Sequence, residues 1–166
     1  MHKILFVCLG NICRSPLAEG VLRGLASRRG LGRSFAVDSA GTHAHRHAGQ
    51  RPDPRATQVA VRRGYDGMDK LKARAVTEKD FLKFDRIVAM DSSNLAQLRK
   101  ICPPHLQHKL HLLLEFAGDR EELDVPDPYY GSVEGFERVL DLCELAVSGL
   151  IDSCLREGRA SAAQAR

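Results

Sequence analysis

The chain lacks the long apolar runs that would take it out of water. Its opening, "MHKILFVC", holds only five apolar residues in a row, too few for a signal peptide or a membrane span. A cytoplasmic protein with no membrane partner is expected. Charge of one sign is missing too: 25 basic residues stand against 21 acidic ones, a formal net charge of +4, and the basic residues are scattered. That balance suits a mild attraction to anionic substrates and gives no reason to expect a nucleic-acid partner. No internal repeat, low-complexity tract or linker interrupts the 166 residues, and 43% hydrophobic content is enough for one core. One domain over residues 1–158 is expected, with 159–166 as a disordered tail. Cysteine is odd in number, at positions 8, 13, 102, 143 and 154. In a chain too large to need stapling, that favours free thiols in a reducing compartment.

What is present is an alternation of strands and helices. Residues 3–7, "KILFV", form an unbroken apolar run suited to a strand buried on both faces. A helix is expected from Pro16 to about Arg29, with Ser15 as N-cap and Gly30 as its stop. Residues 34–42 read as a second strand, and Asp53 and Pro54 open a second helix that Gly64 ends. Thr77 and Asp80 have the spacing of a capping box. "DRIVAMD" at 85–91 is another buried strand, followed by a helix from Ser92 to Lys100. The last strand is expected within residues 109–116, then a long proline-punctuated loop over 117–132. A final helix from Val133 to Arg156 places Cys143 and Cys154 on its apolar stripe. The pattern predicts an α/β fold, an open parallel sheet of about four strands with helices on both faces. Ligands bind beyond the carboxyl ends of such strands.

At one such end stands "FVCLGNICRSPLA", residues 6–18. A loop between a strand and a helix start turns consecutive backbone N–H groups inward, and the helix dipole adds positive charge, which makes an anion cradle. No Lys-Ser or Lys-Thr pair follows, so the nucleotide-binding pattern is absent. The cradle begins instead with Cys8, a nucleophile, since the field of a helix N-terminus favours thiolate over thiol. Ser15 can hydrogen-bond the sulfur, and the planar Arg14 guanidinium can hold two phosphoryl oxygens at once. A bare Cys-x5-Arg arises by chance about half the time in such a composition, so the strand before it and the Ser-Pro helix start after it carry the specificity.

These residues, with "DSAGT" at 38–42, "RPDPRA" at 51–56, "FDRIVAMDSSNL" at 84–95 and "DPYYG" at 127–131, resemble the low-molecular-weight protein tyrosine phosphatase family in its own order over nearly the whole chain. The resemblance implies a flavodoxin-like sandwich and phosphotyrosine hydrolysis through a cysteinyl-phosphate, with no metal or other cofactor. By position, Cys8 would attack phosphorus. The backbone of Leu9, Gly10, Asn11, Ile12, Cys13 and Arg14, with the Arg14 side chain and Ser15, would bind the phosphate. Asp127 would be the general acid, a role that suits a carboxyl group on a loop held extended by Pro128. Asn11, Ser15 and Ser39 would support the loop. Many members carry a histidine before Lys-Ala-Arg, where this chain has Leu71.

Leu9, Ile12, His45, Tyr129 and Tyr130 are expected to line a slot deep enough for a phenyl ring. Ile12 speaks against the related protein arginine phosphatases, which have threonine there. An arsenate reductase of the same fold is the other enzymatic alternative, though Cys102, Cys143 and Cys154 are poorly spaced for its relay. A noncatalytic phosphate-binding module would not need the Cys8, Arg14 and Asp127 set. Cys13, five residues after Cys8, is a candidate to trap an oxidised Cys8 as a disulfide. His43, His45 and His47 alternate on the rim without a carboxylate or cysteine to complete a metal set, so a weakly basic rim that attracts acidic phosphopeptides is expected. The partner is a phosphotyrosine protein, with a bacterial tyrosine kinase as the candidate.

Overall fold

The apolar run at the start of the chain becomes β1, His2–Cys8, in which Ile4, Leu5, Phe6 and Val7 are all fully buried. Successive strand residues point to opposite faces, so both faces of the sheet must be covered. The computed structural model, which describes residues 1–164, bears this out. Ile4 and Phe6 join one core cluster with Leu17, Val21 and the apolar stripe of the last helix, while Leu5 and Val7 join a second with Phe81, Ile87 and Leu98. Each such side chain contributes roughly 1.5–3 kcal/mol by leaving water.

After β1 come helix α1 (Arg14–Arg28), β2 (Phe35–Gly41), α2 (Pro54–Arg62), α3 (Glu78–Lys83), β3 (Arg86–Ala89), α4 (Ser92–Ile101), β4 (Leu110–Leu112) and α5 (Val133–Gln164). The strands are all parallel in the order β2-β1-β3-β4, a flavodoxin-like sheet. The chain leaves β1 to one side for β2 and returns to the other side for β3. The carboxyl end of β1 is therefore a topological switch point, and Cys8 lies on it. Asp53 caps α2 by accepting the Arg55 backbone N–H at 2.9 Å, and Thr77 and Asp80 close a capping box on α3, both as their spacing predicts.

Three boundaries differ from expectation. Helix α1 starts at Arg14, with Cys13 and not Ser15 in the N-cap position, because the Ser15 hydroxyl is engaged elsewhere. The last strand keeps only residues 110–112; Leu113–Phe116 turns into a 3-10 helix that buries Leu113 and Leu114 against the α1 and α5 side of the core. Helix α5 runs past Arg156 to Gln164, its last residues exposed. "RASAA" is rich in alanine, which favours helix without any packing partner. The remaining tail residues, 165–166, lie outside the described residues. No described helix is long and apolar enough to cross a membrane.

Candidate active site

Between the end of β1 at Cys8 and the start of α1 at Arg14, residues 9–13 curl into a loop pinned from three sides. The Thr42 N–H donates to the Cys8 carbonyl at 2.9 Å, the His43 N–H to that of Leu9 at 2.8 Å, and the Asp53 N–H to that of Ile12 at 2.8 Å. Such close approach needs a bare backbone opposite. Gly41 supplies it: a Cβ there would stand 2.7 Å from the Leu9 carbonyl oxygen and 3.0 Å from the Asn11 nitrogen. Asn11 itself adopts φ of 58°, the left-handed region that asparagine tolerates better than most residues.

The Asn11 side chain sets the direction of a hydrogen-bond chain. Its carbonyl accepts the Arg74 backbone N–H at 2.9 Å, so its amide donates to both Ser15 Oγ and Ser39 Oγ, each at 2.9 Å. Ser39 passes its own hydrogen to Glu19 at 2.6 Å. Ser15, having accepted from Asn11, has one hydrogen to give, and Cys8 Sγ at 3.0 Å is a nearer acceptor than the Ala40 carbonyl at 3.4 Å. A sulfur that receives a hydrogen bond is stabilised as an anion. Glu19 is buried, and burial raises its pKa against the pull of Ser39 and Arg23.

Arg14 is also buried and held by two acceptors on one nitrogen. Nη1 donates to Asp91 Oδ2 at 2.6 Å and to the Val125 carbonyl at 2.9 Å. Its other edge, Nε and Nη2, makes no hydrogen bond to a described residue and is available to two oxygens of an anion. Burial works against the charge, but Cys8, Asp91 and Asp127 outweigh it and raise the pKa further. Asp127 Oδ2 lies 3.6 Å from Arg14 Nη2, and Asp127 Oδ1 accepts the Tyr129 N–H at 3.1 Å. Cys8, Leu9, Gly10, Ile12, Cys13, Arg14, Asp127, Tyr129 and Tyr130 thus line one cleft of about 290 Å³. Tyr129 and Tyr130 meet edge to face at 4.9 Å, forming an aromatic wall. A cysteine, an arginine fork and a carboxyl group around a cradle of amides can together hold and cleave a phosphate monoester.

The chain matches the sequence profile described as low molecular weight phosphotyrosine protein phosphatase over residues 3–160. It belongs to that family. Among its relatives is a low molecular weight protein-tyrosine-phosphatase of Streptomyces coelicolor, 41% identical over 165 residues, covering 96% of this chain and 99% of that one. The crystal structure of a protein tyrosine phosphatase from Entamoeba histolytica superposes with a TM-score of 0.89 at 42% identity, covering 96% of this chain and 99% of that one. Vibrio vulnificus Wzb in complex with benzylphosphonate superposes with a TM-score of 0.80 at 30% identity, covering 92% and 98%. The protein is a low molecular weight protein-tyrosine phosphatase, a hydrolase whose family works through a cysteine and acts on phosphotyrosine proteins.

Most residues read from the sequence meet at this phosphatase's cleft, but the rim corrects one. His45 is exposed and does not line the cleft; Arg46 and His47 do, and His47 lies against Gly10. The reason is a 3-10 turn over His45–His47, which breaks the alternation that an extended rim would have had. Leu71 packs on the main core, and Asn11 keeps a full set of partners without a histidine there. From the sequence Asp91 reads only as the end of a strand. In the structure it caps α4, accepting the Asn94 N–H at 2.7 Å, and its second oxygen anchors Arg14. Its place at the end of a strand beside Cys8 was the available signal. Glu19 and Gly41 were missed, one as a polar residue in an expected apolar helix face and the other as an ordinary turn residue.

Proposed function

We propose that Cys8 is the nucleophile, Arg14 and the loop amides the phosphate clamp, and Asp127 the general acid and base of phosphotyrosine hydrolysis. The observation that carries this reading is the convergence of the three side chains on one cleft, with Arg14 Nη2 and Asp127 Oδ2 3.6 Å apart. In the first step an S–P bond forms at Cys8, the bond from phosphorus to the tyrosyl oxygen breaks, and Asp127 gives its proton to that oxygen. A tyrosyl oxygen, with a pKa near 10, is a poor leaving group without it. In the second step Asp127 takes a proton from water, the water oxygen bonds phosphorus, and the S–P bond breaks to release phosphate and restore Cys8. Ser15 stabilises the departing sulfur. Nothing in this sequence of steps calls on a cofactor.

Leu9, Ile12, Tyr129 and Tyr130 receive the phenyl ring; the apolar Ile12 suits a phenyl ring better than a guanidinium. Arg46 and His47 at the mouth, with Arg51, His43 and His45 beside them, favour substrates with acidic residues next to the phosphotyrosine. Between Asp38 and Asp53 the chain has no acidic residue to oppose them. A bacterial tyrosine kinase acting in the cytoplasm is the proposed partner, as a phosphotyrosine protein that such a cleft would accept. Cys13 lines the same cleft, and burial, with Asp53 and Cys8 nearby, pushes its thiol pKa up. It therefore leaves the attack on phosphorus to Cys8, and once peroxide has oxidised Cys8 to a sulfenic acid, with release of water, it is placed to condense with that sulfur, forming a disulfide and releasing a second water. The test is hydrolysis of phenyl phosphate with a chelator present. Full turnover for the native chain, none for Cys8→Ser and a large loss for Asp127→Ala are expected; chelator-sensitive turnover, or activity without Cys8, overturns the reading.

A further inference from the structure

The carboxyl group of Asp127 acts only if its loop is held at the right distance from the cradle, and one side chain does most of that holding. Arg55, on the first turn of α2, spends its guanidinium on three partners. Nε and Nη2 grip both oxygens of Asp53, at 3.0 and 2.9 Å. Nη2 and Nη1 donate to the carbonyls of Tyr129 and Gly131, at 2.9 and 3.0 Å. Among the described residues these are the only hydrogen bonds that tie residues 127–131 to another element. The rest are internal to the loop: Tyr129 N–H to Asp127 and Gly131 N–H to Pro128.

The other end of the grip reaches the cradle. Asp53, besides capping α2, donates its own backbone N–H to the Ile12 carbonyl at 2.8 Å. A continuous strut therefore runs from the phosphate loop at Ile12, through Asp53 and Arg55, to the backbone of Tyr129, whose N–H in turn is held by the Asp127 carboxylate. The guanidinium is kept from swinging away by the ring of buried Phe136, 4.5 Å beneath it. Arginine is needed at this position because lysine cannot grip a carboxylate with two nitrogens and reach two carbonyls at once.

We infer that Arg55, locked by Asp53, is a positioning residue for the general acid: it sets where the Asp127 carboxyl stands relative to the phosphorus held by the cradle. This rests on the assignment of Asp127 as the acid. Its signature is leaving-group dependence, since a misplaced acid matters only when the leaving oxygen needs a proton. Compare kcat/KM for phenyl phosphate with that for dinitrophenyl phosphate, whose acidic phenol departs unaided. Arg55→Met is expected to lower the first about tenfold and leave the second within about twofold. Asp53→Asn, which retains an N-cap side chain, is expected to give the same pattern more weakly. Added to Asp127→Ala, Arg55→Met is expected to remove nothing further on phenyl phosphate, because the two act through one group.

An equal loss on both substrates, no loss on either, or a full additional loss in the double variant overturns the inference and leaves Arg55 a stabilising residue only. If Asp127→Ala itself fails to distinguish the two substrates, the acid assignment falls and the strut's catalytic role with it. Circular dichroism and a melting curve accompany each variant. Should Arg55→Met not fold, Arg55→Lys keeps the charge, loses the grip, and carries the same expectations.

Discussion

Two buried cysteines of this phosphatase touch or face an arginine, at opposite ends of the sheet. Cys8 stands at the carboxyl end of β1 with Arg14 across the cleft, and Cys154, on α5, takes a hydrogen bond from Arg86 Nη1 at 2.9 Å at the amino end of β3. Both thiols are nearly inaccessible, at 3% and 0% exposure. What separates them is everything else. Cys8 opens onto a cleft, lies 3.0 Å from the Ser15 hydroxyl and is followed by a loop whose Leu9 and Ile12 carbonyls are bonded from outside, leading into a helix start. Cys154 sits mid-helix, where all backbone N–H groups are already used, and burial pushes its thiol pKa up despite Arg86. A thiol beside a guanidinium is therefore not yet a nucleophile; in the proposed mechanism it is the phosphate loop and the opening that set Cys8 apart.

The comparison breaks most sharply at the sulfurs themselves. Cys8→Ser is expected to lower turnover of phenyl phosphate by on the order of 10³-fold or more. Cys154→Ala should leave kcat unchanged and cost about 1 kcal/mol of stability, read by urea unfolding. Next come the arginines. Arg14→Lys keeps the charge but loses the fork, and a drop in kcat of about 10²–10³-fold is expected; Arg86→Lys should shift only the melting temperature. Equal kinetic effects at the two ends would abolish the distinction drawn between them.

A smaller effect sharpens it through pH. Burial raises the thiol pKa of Cys154, and pushes that of Cys143 up to about 12, whereas unfolded cysteine ionises near 8.5. Above about pH 8.5 the unfolded chain loses protons that the folded chain keeps, so stability present below that value is lost as pH rises toward the folded pKa. The melting temperature should fall from pH 8.5 to 10, and fall less steeply in Cys154→Ala. The least demanding check is chemical: iodoacetamide at pH 8 should label Cys8 in the native protein and reach Cys154 only after unfolding.

Much of the catalytic end was legible because its chemistry is local. Cys8, Arg14 and Ser15 fall within one loop and helix start, and the proline after Asp127 marks its loop as restrained. What stayed hidden is what long-range folding adds. Asp53 adds to the helix cap visible in the sequence a grip on Arg55 that only the fold creates, and Asp91, visible only as the end of a strand, gains both a cap on α4 and a grip on Arg14. Local rules were also wrong where a distant partner competed. Ser15 has the identity of an N-cap, but Cys8 and Asn11 claim its hydroxyl, and the helix begins at Arg14 instead. The place of His45 was misjudged for a plainer reason, since a single 3-10 turn puts His47 and not His45 at the cleft.

The left-handed Asn11, with every hydrogen-bonding atom of its amide already committed, means the cradle is finished before any phosphate arrives. A phosphate loop so preorganised spends no folding energy on recognition, yet the loop by itself receives the phosphoryl group of an ester and the inorganic ion just released in the same way. The enzyme should accordingly be held back by its own product, with inorganic phosphate a competitive inhibitor. Its pace in a cell would then follow the free phosphate level as well as the supply of phosphotyrosine.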